Sequence, residues 1–424
     1  MRLPVQLAAC LTAAALGACD EAPPSPADDA AAARLAPGRT ALVSRNSALR
    51  IRSGEACGVS ANGDQFAITS GDRLVSADTD NLDDVYLVDV AARAVTLLSP
   101  GVGGDAECLA FTPDGGHVAF ATNAGSSSAL LFVTDVLAGT VTQVTPPTLA
   151  LPDTKGWIFG GMSDDGSRVA FVGEPTGTYL GPYAQPASSD PAVFVRDLAS
   201  GDVFNLTAEV VLRTNALSDV IGRVKLSPDG TALAFTSDVD DPGAGDANPD
   251  KADVFLLDLQ TMGTRLVSAD AAGGQTGFQG IFDPMLYPVA FLDGGDRVAF
   301  FVPNDSAFGP AGTYAKSLID GSLELLLEDD IDIRRDADGP RLSFSDNGAF
   351  VAYLLRVNGT NLPVAQFLPT GQTVQLADDT SLNVLLNTRA NTVVFDTNDA
   401  TIVPIPPGGA QASSSSVRVY ARRR

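Results

Sequence analysis

One histidine in 424 residues, four cysteines with no Cys-x-x-Cys spacing, and no Gly-x-Ser-x-Gly string exclude several common chemistries at once. The cysteine pattern offers no zinc or redox pair, and the missing nucleophile elbow argues against a serine hydrolase. Basic residues are also scarce. Lys plus Arg number 27 against 51 Asp plus Glu, a net charge of −24. That field repels phosphate backbones, so nucleic acid is excluded as a partner. Beyond the first 19 residues no stretch reaches 18 apolar residues, so no later spanning helix is expected. Glycine (41) and proline (27) are plentiful instead, and apolar residues make up 45% of the chain, as a turn-rich fold with a large core requires.

The leader carries the first positive signal. Arg2 precedes an apolar run, Leu7 to Ala18, which is too short to cross a bilayer and ends in small residues. Leu16-Gly17-Ala18-Cys19 resembles the lipobox of bacterial lipoproteins. Cys10 follows a second such string, Leu7-Ala8-Ala9, but too little apolar segment precedes it. The reading is therefore a signal peptide over 1–18, then the lipidated Cys19 and an Ala/Pro/Asp-rich tether over 19–38. It implies export, a lipid anchor in the bacterial cell envelope on the periplasm side, and membrane contact through that lipid alone.

The body, 39–424, repeats itself. A strand built around Val-Ala-Phe recurs as Phe66-Ala67-Ile68, Val118-Ala119-Phe120, Val169-Ala170-Phe171, Leu233-Ala234-Phe235, Val298-Ala299-Phe300, Val351-Ala352-Tyr353 and Val393-Val394-Phe395. Asp/Asn-Gly turns precede most copies, and glycine there adopts positive φ at little cost. The seventh copy has Arg389-Ala390-Asn391, so its turn must differ. A third strand ends in Asp89, Asp135, Asp197 or Asp258 in the first four units. Such an Asp can accept hydrogen bonds from the next turn. The seventh unit lacks a fourth strand, and Thr40-Ala41-Leu42-Val43-Ser44 matches what is missing. The expectation is an all-β, seven-bladed β-propeller, monomeric, closed by an N-terminal strand pairing in the C-terminal blade. The strings Ser/Thr-x-Asp/Asn-Gly, Val-Ala-Phe and Asp-Val-Phe-Leu-x-Asp-Leu resemble the TolB-like, WD40-like propeller repeat family. The resemblance implies a fold and leaves the function open.

Loop lengths point to a working face. The a–b and c–d turns are short, whereas the b–c loops (70–84, 172–192, 236–252, 301–312) and d–a loops (146–158, 208–221, 269–286, 328–340) are long. In the blade-4 loop, Asp246, Asn248, Asp250 and Asp253 place oxygens as a calcium ligand set does. The blade-1 loop, Asp78 to Asp84, is a second acidic stretch. Cys57 and Cys108 sit at nearly equal offsets before two turns, on innermost strands, and are either a disulfide or two free thiols. His117 follows a hairpin turn where other units carry Gln65, Arg168 and Arg297, which marks a solvated strand start and not a catalytic base. Arg422-Arg423-Arg424 closes the chain as a basic run that could meet an acidic group. Two functions fit. The first is a non-enzymatic binding or scaffold role toward an envelope protein or glycan. The second is glycan hydrolysis or lysis by paired carboxylates in the channel.

Overall fold

The structure is a computed structural model. It describes residues 40–44, 53–123, 129–146, 149–150, 159–175, 192–206, 224–237, 245–247, 251, 253–269, 273–275, 287–302, 309–328, 335–336, 339–340, 342–378, 381, 383–397 and 418–423.

Seven antiparallel sheets form the ring, each with strands a to d from the axis outward. Blade 1 is Glu55–Val59, Gln65–Ser70, Asp84–Asp89 and Ala94–Leu97. Blade 2 is Asp105–Phe111, His117–Asn123, Leu130–Asp135 and Thr140–Gln143. Blade 3 is Phe159–Met162, Arg168–Pro175, Ala192–Asp197 and Val203–Asn205, with Leu149–Ala150 as an extra edge. Blade 4 is Val224–Leu226, Ala232–Ser237, Asp253–Asp258 and Thr264–Leu266. Blade 5 is Tyr287–Leu292, Arg297–Val302, Gly312–Ser317 and Leu323–Glu328. Blade 6 is Leu342–Phe344, Phe350–Val357, Thr360–Phe367 and Gln372–Gln375. Blade 7 takes Val384–Leu386, Thr392–Thr397 and Arg418–Arg423 from the end of the chain and Thr40–Leu42 from its beginning. The closing strand pairs Thr40 with Arg422, Ala41 with Ala421 and Leu42 with Tyr420. This is the closure expected from the unpaired seventh unit, and it removes two open sheet edges.

The Val-Ala-Phe repeat has a packing cause. Successive side chains of a strand point to opposite faces. Val118 and Phe120 lie in the cluster shared with blade 1, whereas Ala119 lies in the cluster shared with blade 3. Val169 and Phe171 face blade 2, and Ala170 faces blade 4. Val351 and Tyr353 face blade 5, and Ala352 faces blade 7. In blades 1 to 6 strand b therefore turns two large residues to the preceding blade and an alanine to the next, where the neighbour's large residues need the space, and in blade 7 Val394 takes the alanine's place. Aromatic pairs directly opposite across strands b and c add to this, with Phe120 and Phe132 at 5.4 Å and Phe171 and Phe194 at 5.6 Å.

Candidate functional site

The short turns are built alike. Ser60, Thr112, Ser163, Ser227 and Ser345 each donate a hydroxyl hydrogen bond, 2.6 to 2.8 Å, to the Asn or Asp two residues on. The same oxygens accept the first amide of strand b, as Arg168 N–H gives to Ser163 at 3.0 Å and Phe350 N–H to Ser345 at 3.0 Å. Gly115 and Gly166 take φ of 79° and 69°. A Cβ there would strike the Gln65 side chain or the His117 ring of the preceding blade, so glycine also sets how closely blades approach. In blade 7 the buried Asn387 replaces the hydroxyl. Its side-chain oxygen accepts from Asn391 and Thr392 N–H, and its amide donates to Ser60 and Ala61 carbonyls of blade 1. Asn387 is the physical content of the altered seventh turn.

These turns join into a belt at the channel mouth. Ala61 N–H donates to the Pro113 carbonyl, Asp164 to Pro228, Asp293 to Asp346 and Asp346 to Thr388, at 2.6 to 2.9 Å. The belt brings carboxylates together that are far apart in sequence. Surrounding protein at the mouth, then the charges of Asp346, Asp114, Asp165 and Asp229, push the Asp164 carboxyl up to about 6. Its outer surface remains exposed. Burial also acts on Asp165 and Asp229, but the hydroxyls of Ser163 and Ser227 and nearby amides outweigh it and hold both below the usual range. Sequence reasoning missed this mouth. Only ring closure sets blade 3 against blade 6.

On the long-loop side, Asp78, Asp80 and Asp84 of blade 1 offer oxygens all within 4.8 Å of one another. Asp78 and Asp84 are buried and Asp80 is exposed. The Tyr86 hydroxyl donates to Asp78 at 2.5 Å, and the Ser99 hydroxyl donates to Asp84 at 2.5 Å. Burial raises the Asp84 carboxyl, the Ser99 bond opposes this, and the charges of Asp78, Asp80 and Asp83 raise it further, with a net upward shift. Blade 4 repeats part of this design. Asp253 is buried, accepts the Ser268 hydroxyl at 2.5 Å, and starts strand c as Asp84 does. Asp246 is buried nearby in sequence, while Asn248 and Asp250 lie outside the described residues. The oxygens that the described residues bring together are thus in blade 1. Such a donor set, all oxygen and partly buried, can hold a hard divalent cation.

Cys57 and Cys108 sit on strands a of blades 1 and 2, their Cα atoms 5.6 Å apart and their sulfurs joined. Both lie at irregularities of their strands, where the register shifts between Ala56 and Gly58 and between Cys108 and Ala110. The Asp ending strand c behaves as expected. Asp89 accepts Ala92 N–H at 2.7 Å and Asp258 accepts Gln260 and Thr261 N–H at 2.8 Å. In blade 5 the Ser317 hydroxyl takes that place. Residues 1–39, with Cys19, and most of the loops beyond 70–84 lie outside the described residues. Among the described residues, no helix is long and apolar enough to cross a membrane.

No family model matches the chain, and no curated protein does. Solved structures do. An oligogalacturonate lyase from Vibrio parahaemolyticus is 11% identical, with 92% of each chain covered and a TM-score of 0.53. An oligogalacturonate lyase in complex with manganese is 11% identical, with 92% of this chain and 98% of that one covered and a TM-score of 0.55. TolB from Acinetobacter baumannii is 16% identical over 81% of this chain, with a TM-score of 0.43, and the match spans 65% of that TolB. At these identities the likeness is one of fold: the chain is an all-β, seven-bladed propeller closed by its own first strand.

Proposed function

We propose that the chain is an exported binding or scaffold protein, held at the bacterial cell envelope on its periplasm side by a lipid on Cys19. Its long-loop face takes a protein or glycan partner without catalysis. One observation carries the non-catalytic part. The four acids coupled to Asp164 are each already committed as hydrogen-bond acceptors. Asp114, Asp165 and Asp229 cap their own turns, and Asp346 accepts Gly294 N–H at 2.9 Å. Two-carboxylate glycan chemistry needs a second acid free to move a proton or attack, and these acids are fixed in structural roles. The cysteine pair suits an oxidising compartment, and the leader supports export. Capture from envelope extract with the full chain, compared with variants shortened within 172–192 and 236–252, tests the reading. Loss of the captured partner on trimming is expected. Cleavage of a polysaccharide that Asp164→Asn abolishes would overturn it in favour of the hydrolase or lyase reading.

We further propose calcium as the cation for Asp78, Asp80 and Asp84, with Asp246, Asn248, Asp250 and Asp253 as the blade-4 counterpart. The support is the shared carboxylate–serine pair at the start of strand c, Asp84 with Ser99 and Asp253 with Ser268. A structural role at the base of the long loops follows, and a melting temperature insensitive to calcium and chelator would end it.

A further inference from the structure

Blades 6 and 7 enclose a pocket of about 300 Å³, lined by Phe350, Phe367, Val374, Leu376 and Arg422 among others. It arises from a local exchange in the repeat. The first residue of strand b faces the last of strand c, and in every other blade this place holds at least one polar residue, with Ala232 opposite Asp258 in blade 4 the one mixed pair. Gln65 meets Asp89 at 3.1 Å, and Arg168 meets Asp197 at 3.4 Å. In blade 6 the register equivalents are Phe350 and Phe367, with ring centroids 4.7 Å apart. The wet rim of other blades is here an apolar wall, and Val374 beside it is 44% exposed.

Arg422 is the second observation. It lies opposite Val393, one residue in from the end of strand c. Thr134, Arg196 and Lys316 occupy that register place in blades 2, 3 and 5. Each reaches back to a carbonyl near the end of the preceding blade's strand d. Thr134 donates to Leu98 at 2.6 Å, Arg196 to Val144 at 2.7 Å and Lys316 to Ala269 at 2.6 Å. The Arg422 guanidinium has no hydrogen-bond or ion-pair partner among the described residues. Strand alternation sets its direction. Ala421 packs toward blade 1 and Tyr420 toward blade 6, so Arg422 lies on the blade-6 side, over the pocket.

We propose that this pocket binds a small aliphatic carboxylate, its alkyl body against Phe350, Phe367 and Val374 and its carboxylate on Arg422. A guanidinium presents paired donors that match a carboxylate. The volume sits at the lower limit of small-ligand pockets, about 300 to 1,000 Å³, which suits a short chain and not a bilayer lipid. Arg423 also lines the pocket, but its guanidinium is paired with Asp64 and donates to the Asn62 carbonyl, so Arg422 is the cation that faces the apolar wall, which favours a monoanion with a hydrocarbon body over a phosphate. The chain's net charge of −24 opposes anions at long range, so the attraction is confined to this contact. The site is independent of the partner-binding face proposed above.

Titration calorimetry of the full chain with octanoate, octanol and acetate tests the proposal. Octanoate is expected to bind at least about tenfold more tightly than octanol or acetate, as a charge-assisted contact in an apolar site implies. Arg422→Gln should bring octanoate down to the octanol level and leave octanol unchanged. Val374→Trp, on an exposed edge where folding is little affected, should weaken both. Equal binding of octanoate and octanol, no octanoate binding at millimolar concentration, or an unchanged octanoate affinity in Arg422→Gln would each overturn it.

Discussion

Leu42 pairs with Tyr420 across the closing sheet, and both side chains share one apolar cluster with Val393 and Phe395. The first strand is therefore part of the core of the last blade. Leu42→Ala should cost about 2 to 4 kcal/mol in urea unfolding, the range for a buried leucine truncation. Deleting 40–44 should cost more and expose the edge of Arg418–Arg423, raising light scattering on heating.

Asn387 does in one side chain what a hydroxyl and an Asn-Gly turn do elsewhere. Replacing it with alanine strands buried amide and carbonyl groups in two blades at once. Asn387→Ala is expected to destabilise by about 2 to 3 kcal/mol. Ser163→Ala, which removes one such hydroxyl, should cost only about 1 kcal/mol. Denaturant midpoints compared at constant slope distinguish the two.

How far the sequence reaches is clear from these residues. The turn strings, the alternating Val-Ala-Phe strands and the unmatched Thr40–Ser44 segment carry local geometry, and local geometry is enough for the propeller and its closure. The blade-1 acids were legible as a loop composition, but their convergence depends on Tyr86 and Ser99, which approach only in the folded sheet. Asp164 feels the charge of Asp346 through ring closure, and Arg422 reaches its pocket through the register of blade 7 against blade 6. Neither relation has a sequence spacing to read. Cys57 and Cys108 had the offsets for pairing, but which way the two inner strands bulge decides it.

The cysteine link joins adjacent inner strands at a sequence separation of 51. Cross-linking over such a span contributes roughly 4 kcal/mol in the chain-entropy account. Reductant should lower the urea midpoint of the native chain and leave that of Cys57→Ser/Cys108→Ser unchanged. Thiol titration under denaturing conditions without reductant counts the linked pair.

Asp164 gives a pH signature. Its folded pKa, about 6, lies above the ordinary 3.8, so the native state prefers the protonated acid. Its contribution to stability is complete below about pH 4 and disappears as pH rises through 6. Asp164→Asn should abolish this slope and raise stability at neutral pH, by less than about 1 kcal/mol because its outer surface is solvated. Melting temperature against pH for both proteins checks the sign.

Calcium has a direct test. If the acids of the Asp78 loop take a cation with the millimolar-range affinity of extracellular modules, saturating calcium raises stability by about 1 to 2 kcal/mol. Asp78→Asn and Asp84→Asn should each remove the response, and magnesium should give less of it. Calorimetric scans with calcium and with chelator make the comparison.

The amide belt at the mouth has two places where a proline stands. Pro113 and Pro228 receive a hydrogen bond from the blade before them but have no N–H to pass on. The belt is therefore a set of arcs, interrupted between blades 2 and 3 and between blades 4 and 5. At those two seams the inner turns share no amide link among the described residues, and Arg196 and Lys316, which donate across them to the Val144 and Ala269 carbonyls, tie the blades from the outer strands instead.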